Sequence, residues 1–247
     1  MEFRMKGKVV GISMAVLLMV VGAFAQVTES KKLTIVAFGD SITAPRKGVV
    51  TYSDVLRETL KGKNIEVINA GVGGNTTEHA KKRFEKDVLS HTPDLVIIQF
   101  GNNDAAVDVW KDPPATAPRV PLETYVQNLN EMIATLKGRN ARVILVTPLP
   151  TRWTEKLKGM YGKPPYDPAD PDGFNFLKKE YVAALKKIGQ QNKIPLIDLY
   201  SAYYRYAKKS GRPMDELFLD GMHPNDQGQR IEADLLLKEI KKLKLGI

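Results

Sequence analysis

Four short segments hold side chains that together could transfer an acyl group. They are Phe38-Gly39-Asp40-Ser41-Ile42-Thr43, Asn69-Ala70-Gly71-Val72-Gly73-Gly74-Asn75-Thr76, Gly101-Asn102-Asn103-Asp104 and Asp220-Gly221-Met222-His223. A serine hydroxyl is a poor nucleophile unless a base takes its proton as it attacks. His223 is the candidate base, and Asp220, three residues earlier, can reach back in a tight turn to fix its other nitrogen. A tetrahedral intermediate also needs donors for its oxygen. The backbone N–H of Ser41, the N–H of Gly74 and the side-chain amide of Asn103 supply three. Without a side chain, Gly74 lets the backbone approach a ligand closely, although Gly71 and Gly73 stand nearby as alternatives.

Each segment alone has a plainer reading. Gly-Asp-Ser is most often a turn, Gly-x-Asn-Asp a strand end or helix cap, and Asp-x-x-His a surface pair or half a metal site. The conjunction of all four points to catalysis. His79, in a polar helix, and His91, just past it, receive no role. The chain has no cysteine, which removes thiol catalysis and thiolate metal sites. No histidine pair has helical ligand spacing, so neither a metal nor a cofactor is expected. Asp167, Asp170 and Asp172 lack the pattern of a calcium loop and read as a proline-rich turn. Gly71 to Gly74 lacks the lysine of a phosphate-binding loop.

These residues need a scaffold that gathers them. Five short apolar runs, Leu33–Phe38, Ile65–Asn69, Asp94–Phe100, Arg142–Thr147 and Ile194–Leu199, suit strands buried on both faces of a parallel sheet. Helical periodicity separates them, as in Leu122, Tyr125, Val126, Leu129, Met132, Ile133 and Leu136, and again in Leu177, Tyr181, Ala184, Leu185 and Ile188. A final amphipathic helix carries Ile231, Leu235, Leu236, Ile240 and Leu243, with lysines at its carbonyl end. The alternation predicts one three-layer α/β/α domain. Ligands of such sheets lie beyond the carboxyl ends of the strands. In the flavodoxin-like order 2-1-3-4-5, Ser41, Gly74 and Asn103 share one rim, and the loop of His223 can return to it. Two stretches look irregular, residues 105–120 and 148–173, both rich in proline.

The opening of the chain reads as a secretory signal peptide, residues 1–25, before a single domain at 26–247. Arg4, Lys6 and Lys8 precede an uncharged run from Val9, and Ala23-Phe24-Ala25 forms a cleavage site. An uncleaved membrane anchor is the alternative. Secretion or a periplasmic location is therefore expected, with no stable membrane insertion after cleavage. The net charge of +9 could suggest nucleic acid. However, the lysines, among them Lys178, Lys179, Lys186 and Lys187, are spread over helical faces without an aromatic stripe. They read as solvated surface, and no nucleic-acid partner is expected.

From Leu33 to the last helix the chain resembles the SGNH (GDSL-type) hydrolases, on the same four segments. The resemblance implies Ser41 as nucleophile, Gly74 and Asn103 as oxyanion donors, and Asp220 with His223 completing a triad. The Asn-Thr-Thr after Gly74 favours that glycine. Ile42 replaces the leucine common in the family. Asp40, Asn69 and Asp104 read as supports that tie the loops together.

The expected function is an exported carboxylic ester hydrolase working through an acyl-enzyme on a small-molecule or glycan ester. No long amphipathic lid suited to bulk lipid is visible, which points to short acyl groups. Arg152 and Trp153, with Tyr161 and Tyr166, could form a sugar-stacking wall, or the aromatics could simply pack a loop onto the domain. The alternatives are a lysophospholipase, thioesterase or arylesterase activity, acyl transfer to a sugar hydroxyl, and a carbohydrate-binding protein without turnover.

Overall fold

In strand β1 (Leu33–Gly39), Ile35 and Ala37 face one side of a sheet, Val36 and Phe38 face the other, and all four are buried. This alternation divides the core in two. The computed structural model describes residues 1, 2 and 32–243. The chain divides into two units, Met1–Ser30 and Lys31–Ile247, and every element below belongs to the second. The expected signal peptide lies outside the described residues apart from its first two.

The elements follow in the order β1, α1 (Tyr52–Thr59), β2 (Ile65–Gly71), α2 (Thr77–Asp87), β3 (Leu95–Gln99), α3 (Leu122–Gly138), β4 (Arg142–Val146), α4 (Glu155–Tyr161), α5 (Phe176–Asn192), β5 (Leu196–Ile197), α6 (Leu199–Ser210) and α7 (Asp226–Lys242). All strand pairings are parallel, in the order β2-β1-β3-β4-β5. Helices α1, α6 and α7 cover the face of Ile35 and Ala37 through residues such as Leu56, Tyr203 and Leu236. Helices α2, α3 and α5 cover the other through Phe84, Leu129 and Tyr181. The result is the expected three-layer α/β/α arrangement. Full burial of one such large apolar side chain stabilises by about 1.5–3 kcal/mol, so the two layers of core carry the fold without a disulfide.

Two expectations from the sequence need revising. The last strand is only Leu196–Ile197, because Pro195 has no N–H to donate and Asp198 caps a helix with no counterpart in the sequence reading, α6, by accepting from Ser201 N at 3.0 Å. The segment 148–173 is not wholly irregular, since it contains α4. A third apolar cluster of Val107, Val109, Leu157, Tyr161, Tyr166 and Phe174 joins it to the 105–120 loop.

The register sets up the site. Gly39 is opposite both Gly71 and Gln99, so the first three strands end level with one another. The segments carrying Ser41, Gly74 and Asn103 therefore leave from one edge of the sheet.

Candidate active site

The turn after β1 is stitched to its neighbours by side chains. Asp40 accepts from Ile42 N at 2.9 Å, and Asn69 donates to Thr43 O and Ser53 Oγ at 2.7 Å each. Arg83 spans the strand ends, donating to Gly39 O and Ala70 O at 2.8 Å each and to Asn75 Oδ1 at 2.7 Å, while its guanidinium lies 4.5 Å from the centre of the Phe38 ring. Asp104 fixes the loop after β3 by accepting from both Thr77 N and Thr77 Oγ1, at 2.8 and 2.6 Å.

His223 reaches this edge from the other end of the chain. Its turn is held from within, as Asp220 Oδ1 accepts from Met222 N at 3.0 Å and His223 N at 2.9 Å. Leu219 N donates to His223 O, and Asn225, which caps α7, donates from its backbone N to Leu217 O. Gly221 adopts a left-handed φ of +82°, and a Cβ there would sit 2.3 Å from Arg152 O. Only glycine fits that conformation and that space.

The sequence pairs then meet. His223 Nε2 is 3.0 Å from Ser41 Oγ, and His223 Nδ1 is 2.8 Å from Asp220 Oδ2. With Nδ1 protonated, Nε2 is free to accept the serine proton. Burial pushes the Asp220 carboxyl up, but hydrogen bonds from the His223 ring and the backbone N–H groups outweigh it. Its pKa is therefore held below the usual carboxylate value. Ser41, Gly74, Asn103 and His223 all line one cleft of about 300 Å³. Among the described residues the N–H groups of Ser41 and Gly74 donate to no protein acceptor, which leaves both for a ligand. Gly74 has a φ of +74° with open space where a Cβ would stand, so the backbone conformation, rather than crowding, requires glycine there. Gly71 is instead packed beneath the nucleophile turn, its would-be Cβ 2.3 Å from Ala44 N. Asn103 Nδ2 donates to Asn75 O at 3.1 Å and, at a longer 3.3 Å, to Asp40 Oδ2. Such a chain of hydroxyl, imidazole and carboxylate beside unpaired N–H donors is chemically suited to acyl transfer.

The sequence matches the GDSL-like Lipase/Acylhydrolase family over residues 37–231. The chain belongs to that family. Its fold and its relatives are those of the SGNH hydrolases, and it is a hydrolase that acts on esters. The crystal structure of a lipase/acylhydrolase from Enterococcus faecalis superposes with a TM-score of 0.65 at 30% identity, covering 85% of this chain and 96% of that one. The acetylxylan esterase of Geobacillus stearothermophilus is 27% identical, covering 78% of this chain and 80% of its own length. A Bacillus subtilis protein described as an uncharacterized lipoprotein is 28% identical, covering 80% and 85%.

Arg152 and Trp153 do not line the cleft of this GDSL-family chain. Arg152 is committed to Asp215 at 2.7 Å and Asp172 at 3.2 Å. Trp153 donates from Nε1 to Asp170 O and lies edge-on to Phe174. Both hold the 148–173 segment, and through Arg152 N donating to Gly221 O at 2.8 Å that segment braces the histidine turn. Tyr161, from the same segment, does line the cleft.

Two basic residues of the cleft escaped the sequence reading. Arg119 lies in the proline-rich loop, donating to Asn103 Oδ1 at 3.0 Å and to Asp108 Oδ1 at 2.7 Å. Lys178 is not part of a solvated face: it is 4% exposed and opens into the cleft. Its face of α5 also carries the buried Tyr181, Val182 and Leu185, and that three- and four-residue spacing was the available signal. Among the described residues no group of three or more His, Asp or Glu could hold a metal ion, and no helix is long and apolar enough to cross a membrane.

Proposed function

We propose that this chain is an exported serine esterase that removes short acyl groups, acetyl above all, from carbohydrate. Ser41 Oγ attacks the ester carbonyl carbon and passes its proton to His223 Nε2. Asp220 holds the imidazole in the required tautomer and steadies its positive charge. The oxyanion takes hydrogen bonds from the N–H groups of Ser41 and Gly74, while Asn103 Nδ2 turns to it from its long bond to Asp40. His223 returns the proton to the departing alkoxide. Water, deprotonated by the same imidazole, then releases the acid from the acyl-enzyme.

One observation carries this reading: the 3.0 Å approach of His223 Nε2 to Ser41 Oγ, between residues 182 positions apart. The small volume of the cleft favours short acyl groups. The acetyl and carbohydrate preference draws on the named activity of the Geobacillus relative. Export draws on the basic, apolar and small-residue opening of the sequence, and a relative described as a lipoprotein agrees with it.

The test is a release assay with acetylated xylan and pectin fragments, simple aryl acetates and lysophospholipid, without an acyl acceptor. Acetate should appear from the oligosaccharides and aryl acetates faster than fatty acid from the lipid. Preference for the lysophospholipid would overturn the acyl-length assignment. A requirement for an added sugar acceptor would make the protein a transferase.

A further inference from the structure

Lys178 is a buried cation with no counter-charge in contact. Its Nζ donates to Thr151 Oγ1 and lies 5.7 Å from the centre of the Phe174 ring. Among the described residues it makes no other hydrogen bond and no ion pair. The second cation of the cleft, Arg119, is already matched to Asp108. Among the described residues no aspartate or glutamate lines the cleft.

An ammonium has three N–H donors, and Thr151 takes one of them. Leaving a charge buried without acceptors is costly, and the protein relieves part of that cost by titration. Burial drives the Lys178 pKa down to about 7, with the charge of Asp40 pulling it back up. A ligand oxygen at Nζ would relieve the rest. A carboxylate suits that position best, because it restores the missing charge and accepts a short, charge-assisted hydrogen bond. The excess of lysine and arginine over aspartate and glutamate also favours the approach of anions.

We propose that Lys178 is a specificity residue whose ammonium receives a carboxylate carried by the substrate, so that the enzyme prefers esters bearing an anionic group to neutral esters of the same size. This rests on the reading of the cleft as the ester site. The carboxylate could enter from either side of the ester bond. On the acyl side the substrate is a half-ester of a dicarboxylic acid. On the alcohol side it is an acetylated uronic acid.

The experiment compares the native protein with Lys178→Met, a change of similar length that leaves no charge. Each arm pairs a charged with a neutral substrate. The acyl arm uses the mono-4-nitrophenyl ester of succinic acid and 4-nitrophenyl butyrate. The alcohol arm uses acetylated galacturonate and acetylated xylose oligomers. The readout is the charged-to-neutral ratio of kcat/KM, in which a general loss of activity cancels. The ratio should fall at least about tenfold in the variant in one arm, equivalent to about 1.4 kcal/mol, and that arm identifies the side of the ester that meets Lys178. If Lys178 only braces Thr151, both ratios stay as in the native protein and the proposal is overturned.

A second measurement needs no variant. Succinate should inhibit 4-nitrophenyl acetate hydrolysis by the native protein at least about tenfold more tightly than neutral succinamide, and equal inhibition overturns the proposal. Neutral esters turned over with unchanged ratios would remove the Lys178 assignment alone. Failure to hydrolyse any ester would remove the esterase reading and this inference with it.

Discussion

Arg119 Nη1 donates to Asn103 Oδ1 at 3.0 Å, and this bond settles which end of the Asn103 amide faces the nucleophile. Either orientation of a terminal amide fills the same space. With the guanidinium on the oxygen, Nδ2 points towards Asp40 and the Asn75 carbonyl, beside the cleft. Asp108, accepting from both Arg119 Nε and Nη2, keeps the guanidinium in place.

Arg119→Ala should therefore lower kcat more than it raises KM. The expected loss is about ten- to a hundredfold, smaller than that of Asn103→Ala, because the donor is misplaced rather than removed. Arg119→Lys should recover part of it. Steady-state kinetics on an aryl acetate check this, and a rise in KM at unchanged kcat would make Arg119 a binding group instead.

Gly221→Ala should damage both stability and turnover. The substitution places a Cβ in a left-handed backbone and 2.3 Å from Arg152 O, so the 148–173 segment must lift from the histidine turn. Gly74→Ala meets the same backbone penalty, about 1–2 kcal/mol, in open space. Thermal melts of the two variants should therefore rank Gly221→Ala well below Gly74→Ala. Equal melting temperatures would show that the segment does not depend on that contact.

Stability should fall as pH rises from about 5 to about 7. Burial raises the Glu232 pKa to about 8, with the charge of Asp40 adding to it and Gln99 opposing it, and burial raises Asp40 itself to about 7. In that window the folded protein holds protons that the unfolded chain, with ordinary carboxyl groups, has released. The unfolded state thus binds fewer protons, and unfolding becomes easier as pH increases. Lys178, lowered to about 7 by burial, starts to lose its proton only near the top of that window, where it opposes the slope because the unfolded chain keeps that proton. Glu232→Gln should flatten the dependence. Melting temperatures that rise from pH 5 to pH 7 would contradict the assignment.

The scaffold was legible in the sequence because parallel strands buried on both faces leave uninterrupted apolar runs, and β3, buried at every position, is the clearest case. The four reactive segments were legible because their residue types are costly or unusual outside such a site. Arg119 was not, since a proline-rich loop has no periodicity to show which way a side chain points. Lys178 was obscured by its neighbours: Lys179, Lys186 and Lys187 do form a polar face, while Lys178 lies one step around the helix on the buried one. Arg152 and Trp153 suggested a sugar wall by type alone, whereas loop carbonyls and carboxylates had already claimed them.

Intact-protein and peptide mass spectrometry after treatment with a fluorophosphonate tests the central claim most directly. One adduct per chain should form, on Ser41, in the native protein, and labelling should slow by several powers of ten in His223→Ala. An adduct on another residue, or labelling of Ser41 at an undiminished rate without the imidazole, would contradict the account.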